Sequence, residues 1–238
     1  MKPSRRESPR GTLLGASLAA VAMWLIPGLS LLAVPLQYLN THLHELFHAL
    51  AAVGTGGHVA HIRVFADGSG VTPIAGGNTL LIASAGYVGA TFLGSLLILS
   101  GASERSARLA LQGVGAALFA ALLIWVRGDV VGVASIIAWA GLLLYAGLRL
   151  RGRSLLFVVQ FLGLLQCLTA LLSLFALLKV SAMPGVHSDA ALLAGSTGIP
   201  AVVWATLWAA FSLVIAVAAL RRAWRRDQAA AAPGHIDS

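Results

Sequence analysis

Charge is scarce in this chain. Asp, Glu, Lys and Arg make up only 10% of its 238 residues, against roughly 25% in a soluble domain, which excludes an ordinary water-soluble fold. Cysteine occurs once, at Cys167 inside an apolar block, so no intrachain disulfide can form. No internal repeat is apparent. A signal-peptide cleavage site is missing too: the N-terminus is basic and then apolar, but no small-residue site follows, and the segment reads as retained. The net charge of +8 lacks the single basic face that nucleic-acid binding requires. Instead the cations flank apolar blocks. Lys2, Arg5, Arg6 and Arg10 precede the first, Arg149, Arg151 and Arg153 separate two later ones, and Arg221, Arg222, Arg225 and Arg226 follow the last. That is the pattern of topology signals and anionic-lipid contacts.

What is abundant is apolar sequence, 58% of the chain, in blocks near the roughly 20 residues a helix needs to cross a bilayer core of about 30 Å. Candidate spans lie at 12–34, 36–54, 77–100, 106–126, 130–149, 154–180 and 200–220. Pro27 and Pro35 mark kinks or boundaries in the first stretch. The expected fold is all-α: a polytopic membrane helix bundle of about six to seven transmembrane helices with a small β-hairpin. Residues 12–226 form one membrane domain, between a basic tail at 1–11 and a polar tail at 227–238. The hairpin falls in the Gly-rich, β-rich run 55–75, with Asp67 and Gly68 at its turn. Residues 181–199 are too polar and short to span, and read as a loop, a short helix beginning near Ser188 and a turn at Gly198 before Pro200. Gly86, Ala90 and Gly94 share a helix face at four-residue spacing, as in close helix packing.

His44-Glu45-Leu46-Phe47-His48 is an H-E-x-x-H sequence on an expected helix. Side chains at i and i+4 stand one above the other, so two imidazoles can bind one zinc ion. Glu45 is turned about 100° from His44 and can take a proton from water beside the metal rather than ligate it. Satisfied polar groups near a helix end are the plainer alternative, but ionisable groups inside an apolar segment are costly, on the order of 2.5–3.5 kcal/mol for a charge at midplane. His42, His58 and His61 read as hydrogen-bonding or interfacial residues.

LHELFHALAAVGTGG, the hairpin, SAGYVGATFLG and, far downstream, HSDAALLAGSTGIPAVVWATLW together resemble the site-2 protease-like intramembrane zinc metallopeptidases. The likeness is to their compact bacterial branch without PDZ or CBS domains, and covers residues 36 to about 212. It implies Zn²⁺ as cofactor, hydrolysis of peptide bonds in or beside membrane helices, and an aspartate on a later segment as third ligand. Asp189 matches that position. It leaves His44, His48 and Asp189 as metal ligands and Glu45 as catalytic base, with one coordination place for water. Asp189 could instead cap the short helix, as could Ser188, and His187 is a substitute ligand or second partner. The N-P-D-G or L-D-G motif of better-known members is absent.

The resulting expectation is an integral multi-pass protein of the bacterial plasma membrane, acting on membrane-protein or peptide substrates within the bilayer and not on nucleic acid. Nothing in the sequence sets an oligomeric state. The rival readings are a catalytically silent, metal-pinned binding or chaperone protein and a transporter. Transport needs a polar path, yet the spans at 106–126 and 130–149 contain almost nothing polar apart from Gln112. Positive-inside counting puts the N-terminus, the Arg149 to Arg153 loop and the C-terminus in the cytoplasm, which requires an odd number of crossings within 12–54. The family resemblance favours a helical pair there, two crossings, and an active site on the cytoplasmic side. The pair is the reading adopted from the sequence.

Overall fold

The computed structural model describes residues 9–26, 30–181 and 188–231. Eight helices are present among them: α1 (Pro9–Leu25), α2 (Ser30–Gly54), α3 (Thr79–Ser100), α4 (Glu104–Ile124), α5 (Val130–Arg149), α6 (Gly152–Val180), α7 (Asp189–Thr197) and α8 (Ala201–Ala231). Four of the starts obey capping chemistry. Asn78, Ser103, Asp129 and Ser188 each stand just before a helix and accept a hydrogen bond from a backbone N–H in its first turn, which satisfies a donor the helix itself cannot pair. Gly198 ends α7 in the left-handed conformation, φ 72°, which glycine adopts without a side-chain clash.

Five helices, α3, α4, α5, α6 and the Ala201–Arg226 part of α8, are long and apolar enough to cross a membrane, one or two fewer than expected. The difference lies in the first two. Helix α1 has 17 residues, about 25 Å of helix and short of a bilayer core. In α2, Asn40, His42, Glu45 and His48 are all buried, so polar groups line its interior side and lower its hydropathy below that of a simple span. Pro35 lies inside α2 rather than at its start. Its carbonyl accepts a 2.7 Å bond from Trp139 Nε1 at the middle of α5.

Contacts between helix ends define two faces. On the first, Gly11 meets the Arg153 guanidinium, Arg108 Nη1 donates to the Gly147 carbonyl at 2.7 Å, and Gly101 abuts Gln160. On the second, Asn78 N–H donates to Thr55 Oγ1 at 3.0 Å and the α4–α5 connection joins the hairpin. The helices α1 and α2 therefore carry the chain jointly from the first face to the second. One net crossing replaces the expected pair. Each of α3, α4, α5 and α6 reverses direction in turn, and α8 returns to the first face, where Leu99 and Arg222 line one groove. Close approach of α3 and α6 depends on glycine: a β-carbon on Gly94 would sit 2.8 Å from the Gly163 carbonyl oxygen, and one on Gly163 would sit 2.7 Å from the Gly94 carbonyl oxygen.

The expected hairpin is present as two antiparallel segments. β1 (His58–Val59) pairs with β4 (Ile74–Ala75), and β2 (Arg63–Val64) pairs with β3 (Gly70–Val71). The first arm has one more residue than the second between these pairs, a bulge. It frees Ile62 to pair with Val126: Ile62 N–H donates to the Trp125 carbonyl at 2.9 Å and Arg127 N–H to the Ile62 carbonyl at 3.0 Å. At the tip, Ser69 donates to Asp67 from Oγ at 2.7 Å and from its backbone N–H at 2.9 Å, which holds that carboxyl below its ordinary range. Thr41 Oγ1 donates to the Gly68 carbonyl at 2.8 Å, and Tyr38 to that of Ala66. The hairpin thus lies along α2, with Gly70 and Thr72 of its second arm on the wall of a cavity.

Candidate metal centre

Helical geometry brings His44 and His48 to one stripe of α2, and three features of the fold aim their rings. His48 Nδ1 lies 2.7 Å from the Ile82 carbonyl. A carbonyl can only accept, so Nδ1 carries the proton and the Nε2 lone pair is free for a metal. The ring of His44 rests edge-on against Tyr87, centroids 4.5 Å apart, and Tyr87 stacks on Trp208, whose Nε1 donates to Ser84 Oγ at 3.0 Å. Gly86 provides the space: a β-carbon there would collide with both histidine rings.

Asp189 comes from α7 and closes the triangle. Its Oδ2 lies 3.4 Å from Nε2 of His44 and 3.4 Å from Nε2 of His48, while the two Nε2 atoms are 2.9 Å apart. Ligands held about 2.0–2.1 Å from a tetrahedral zinc lie roughly 3.3 Å from one another, so this donor set fits such an ion after small adjustments. His44, His48 and Asp189 are the one three-residue group of metal-ligating side chains found among the described residues. Ser188 Oγ accepts from the Ala191 N–H at 3.2 Å and so caps α7, which leaves the Asp189 carboxylate to the histidines.

Glu45 stands beside this triangle rather than in it. Its Oε2 accepts a 2.6 Å hydrogen bond from Thr72 Oγ1 on the hairpin. A β-carbon at Gly70 would fall 2.6 Å from Glu45 Oε1 and 2.7 Å from Thr41 Cγ2, so glycine there admits the carboxylate. All four site residues line a cavity of about 630 Å³, whose wall also includes Gly70 and Thr72 of the hairpin and Ser173 of α6. The arrangement can hold a cation on one wall and a carboxylate base next to it, facing a space large enough for an extended peptide.

The remaining candidates lie elsewhere. His42 points to α5, where its Nε2 is 2.8 Å from Ser135 Oγ, and His58 and His61 stay in the hairpin outside the triangle. Two other acidic residues also have structural places: Asp129 caps α5 and Glu104 opens α4. His187 lies outside the described residues. Sequence reasoning passed over Thr72, Gly70, Tyr87 and the Ile82 carbonyl. Gly70, Thr72 and the Ile82 carbonyl belong to no motif, and Tyr87 falls within SAGYVGATFLG, where its neighbour Gly86 gave a signal only as a small residue whose spacing suggested helix packing.

A family model described as Peptidase M50B-like matches residues 14–219. No curated protein and no solved structure matches the chain. With its apolar helices, the chain is an integral membrane protein of a membrane-protease family. The match runs through α2, the hairpin, α7 and most of α8, and so takes in every residue of the triangle: the chain belongs to the Peptidase M50B-like family, that is, the site-2 protease family.

Proposed function

We propose that this protein is a zinc metallopeptidase that hydrolyses peptide bonds in or near transmembrane segments, within a single domain spanning residues 12–226 and in a bacterial plasma membrane. The observation that carries this reading is an open donor set. His44, His48 and Asp189 converge on the wall of a cavity, and Glu45 stands alongside. Structural zinc sites are closed by four protein ligands, whereas catalytic ones use three. Two histidines with one carboxylate suit zinc. When bound, the metal supplies Lewis acidity, polarising the scissile carbonyl and acidifying water.

The chain's own groups do the rest. Glu45 accepts a proton as water oxygen bonds to the carbonyl carbon, then delivers it to the amide nitrogen as the C–N bond breaks. Thr72 holds Glu45 in place for both transfers. A helical substrate must first unwind, because its carbonyls are engaged in helical hydrogen bonds. The β3–β4 arm lines the cavity and offers backbone groups to an unwound strand by strand addition. Its partners are therefore membrane-protein or peptide substrates and the bilayer itself. The open cavity disfavours a metal-pinned silent scaffold, and the apolar α4 and α5 disfavour a transporter.

The test is to purify the protein in detergent, measure metal per chain, and follow cleavage of a panel of membrane-helix peptides. The reading expects close to one zinc per chain, with cleavage that a chelator abolishes and zinc restores. Metal-free protein, or cleavage indifferent to chelation, contradicts it.

A further inference from the structure

Among the described residues the cations segregate by face. The first face holds Arg10 at the start of α1, Arg105 and Arg108 at the start of α4, Arg149, Arg151 and Arg153 around the α5–α6 connection, and Arg221, Arg222, Arg225 and Arg226 at the end of α8. Contacts tie these ends together. Arg153 meets Gly11, Arg108 binds the last carbonyls of α5, and Leu13 and Leu14 of α1 share a groove with Arg221 and Arg225. Lys2, Arg5 and Arg6 precede α1 in the sequence. The second face, with the hairpin whose Gly70 and Thr72 line the cavity, has only Arg63, Arg127 and Lys179 among the described residues. Ten cations stand against three.

All the connections are short, the condition under which the Lys and Arg bias sets orientation. The anionic inner leaflet adds an attraction for each Lys or Arg near its surface. Both arguments place the first face in the cytoplasm. Gly86, which seats the two histidine rings, is seven residues into α3 from its second-face end, or about 10 Å of helix rise. The site therefore sits in the half of the membrane away from the arginines.

We infer that the cavity holding His44, Glu45, His48 and Asp189 opens on the extracytoplasmic side, so that its substrates are chains that unwind in the outer half of the bilayer or emerge from it. The substrate class rests on the peptidase reading above; the orientation does not. It reverses the cytoplasmic opening implied by the family resemblance, because the single net crossing through α1 and α2 puts the hairpin and the N-terminal cations on opposite sides.

Cysteine labelling in intact cells decides the orientation. His58 at the base of the hairpin and Ala102 in the α3–α4 turn are both exposed, while the native Cys167 is buried and stays silent. His58→Cys and Ala102→Cys are treated separately with a membrane-impermeant maleimide, each normalised to labelling after solubilisation. A fluorescent reporter that matures only in the cytoplasm, fused after Ser238, gives a reading free of either substitution. The expected result is labelling of His58→Cys in intact cells, labelling of Ala102→Cys only once the membrane is opened, and a bright reporter. The inverse pattern, equal labelling of both in intact cells, or a dark reporter overturns it. For the substrate class, peptide helices carrying a Gly-Pro break in the outer or the inner half are compared in oriented vesicles. Selective cleavage of the outer-half series supports the inference, and selective cleavage of the inner-half series refutes it. Correct labelling with neither series cut contradicts the peptidase reading while the orientation stands.

Discussion

At Gly86 a hydrogen atom occupies the place where any other residue would drive a carbon into two histidine rings. Gly86→Ala should therefore lose most of its zinc while remaining folded, because alanine is the better helix former by about 1 kcal/mol. Metal analysis beside circular dichroism checks this; full zinc content would show that the rings are seated in some other way. Thr72 acts on the base instead of the metal. A hydrogen bond to a charged group is worth about 1.5–3 kcal/mol, so Thr72→Val should lower kcat roughly ten- to a hundred-fold with zinc unchanged. An unchanged kcat would remove Thr72 from the mechanism. The ligands of α2 were legible because H-E-x-x-H writes helical spacing directly into sequence. Asp189 came through resemblance, since spacing alone left it a capping residue, and Thr72 was illegible because a threonine twenty-seven positions from Glu45 becomes its partner only when the hairpin folds back along α2.

The hairpin is the element that joins fold to chemistry. Gly-rich flanks, β-branched runs and the Asp67-Gly68 turn made it readable from the sequence. Its docking was not readable, because that depends on a bulge which sends Ile62 to the α4–α5 connection and on a glycine in another helix. Gly132 in α5 packs directly on the Val64 carbonyl, where a β-carbon would collide. Gly132→Ala should push the hairpin outward and lower stability by about 1–3 kcal/mol, the usual cost of overpacking. Cleavage should fall as Thr72 leaves Glu45, yet zinc should stay, since the ligands come from α2 and α7. Loss of zinc would mean that the hairpin supports the ligands as well as the base. Of the two local readings of Pro35, a kink or a boundary, the structure has it inside α2, with its carbonyl accepting a hydrogen bond from Trp139.

For the whole molecule, hydropathy located the helices that are long and apolar enough to span a membrane, α3 to α6 and α8. It misjudged α1 and α2 because together they make one crossing, with the polar site on the second helix. Bundle integrity rests on the α3–α6 contact, where Gly94 and Gly163 bring the two backbones together. Gly94→Leu should force the helices apart, lower the Tm in detergent and cost zinc and activity together, because α3 supplies Ile82 and Gly86 and α6 forms the opposite cavity wall. A variant with the native Tm would show that these helices do not need so close an approach. This joint loss contrasts with Thr72→Val and Gly132→Ala, in which activity and zinc separate.

The measurement that tests the central claim most directly is zinc content and cleavage in Glu45→Gln beside the native protein. Glu45 lies next to the triangle without belonging to it, so the variant should retain its fold and its zinc. Cleavage should fall by about 10²–10⁴-fold, the range of general acid–base help. Cleavage at the native rate with zinc still bound would contradict the account.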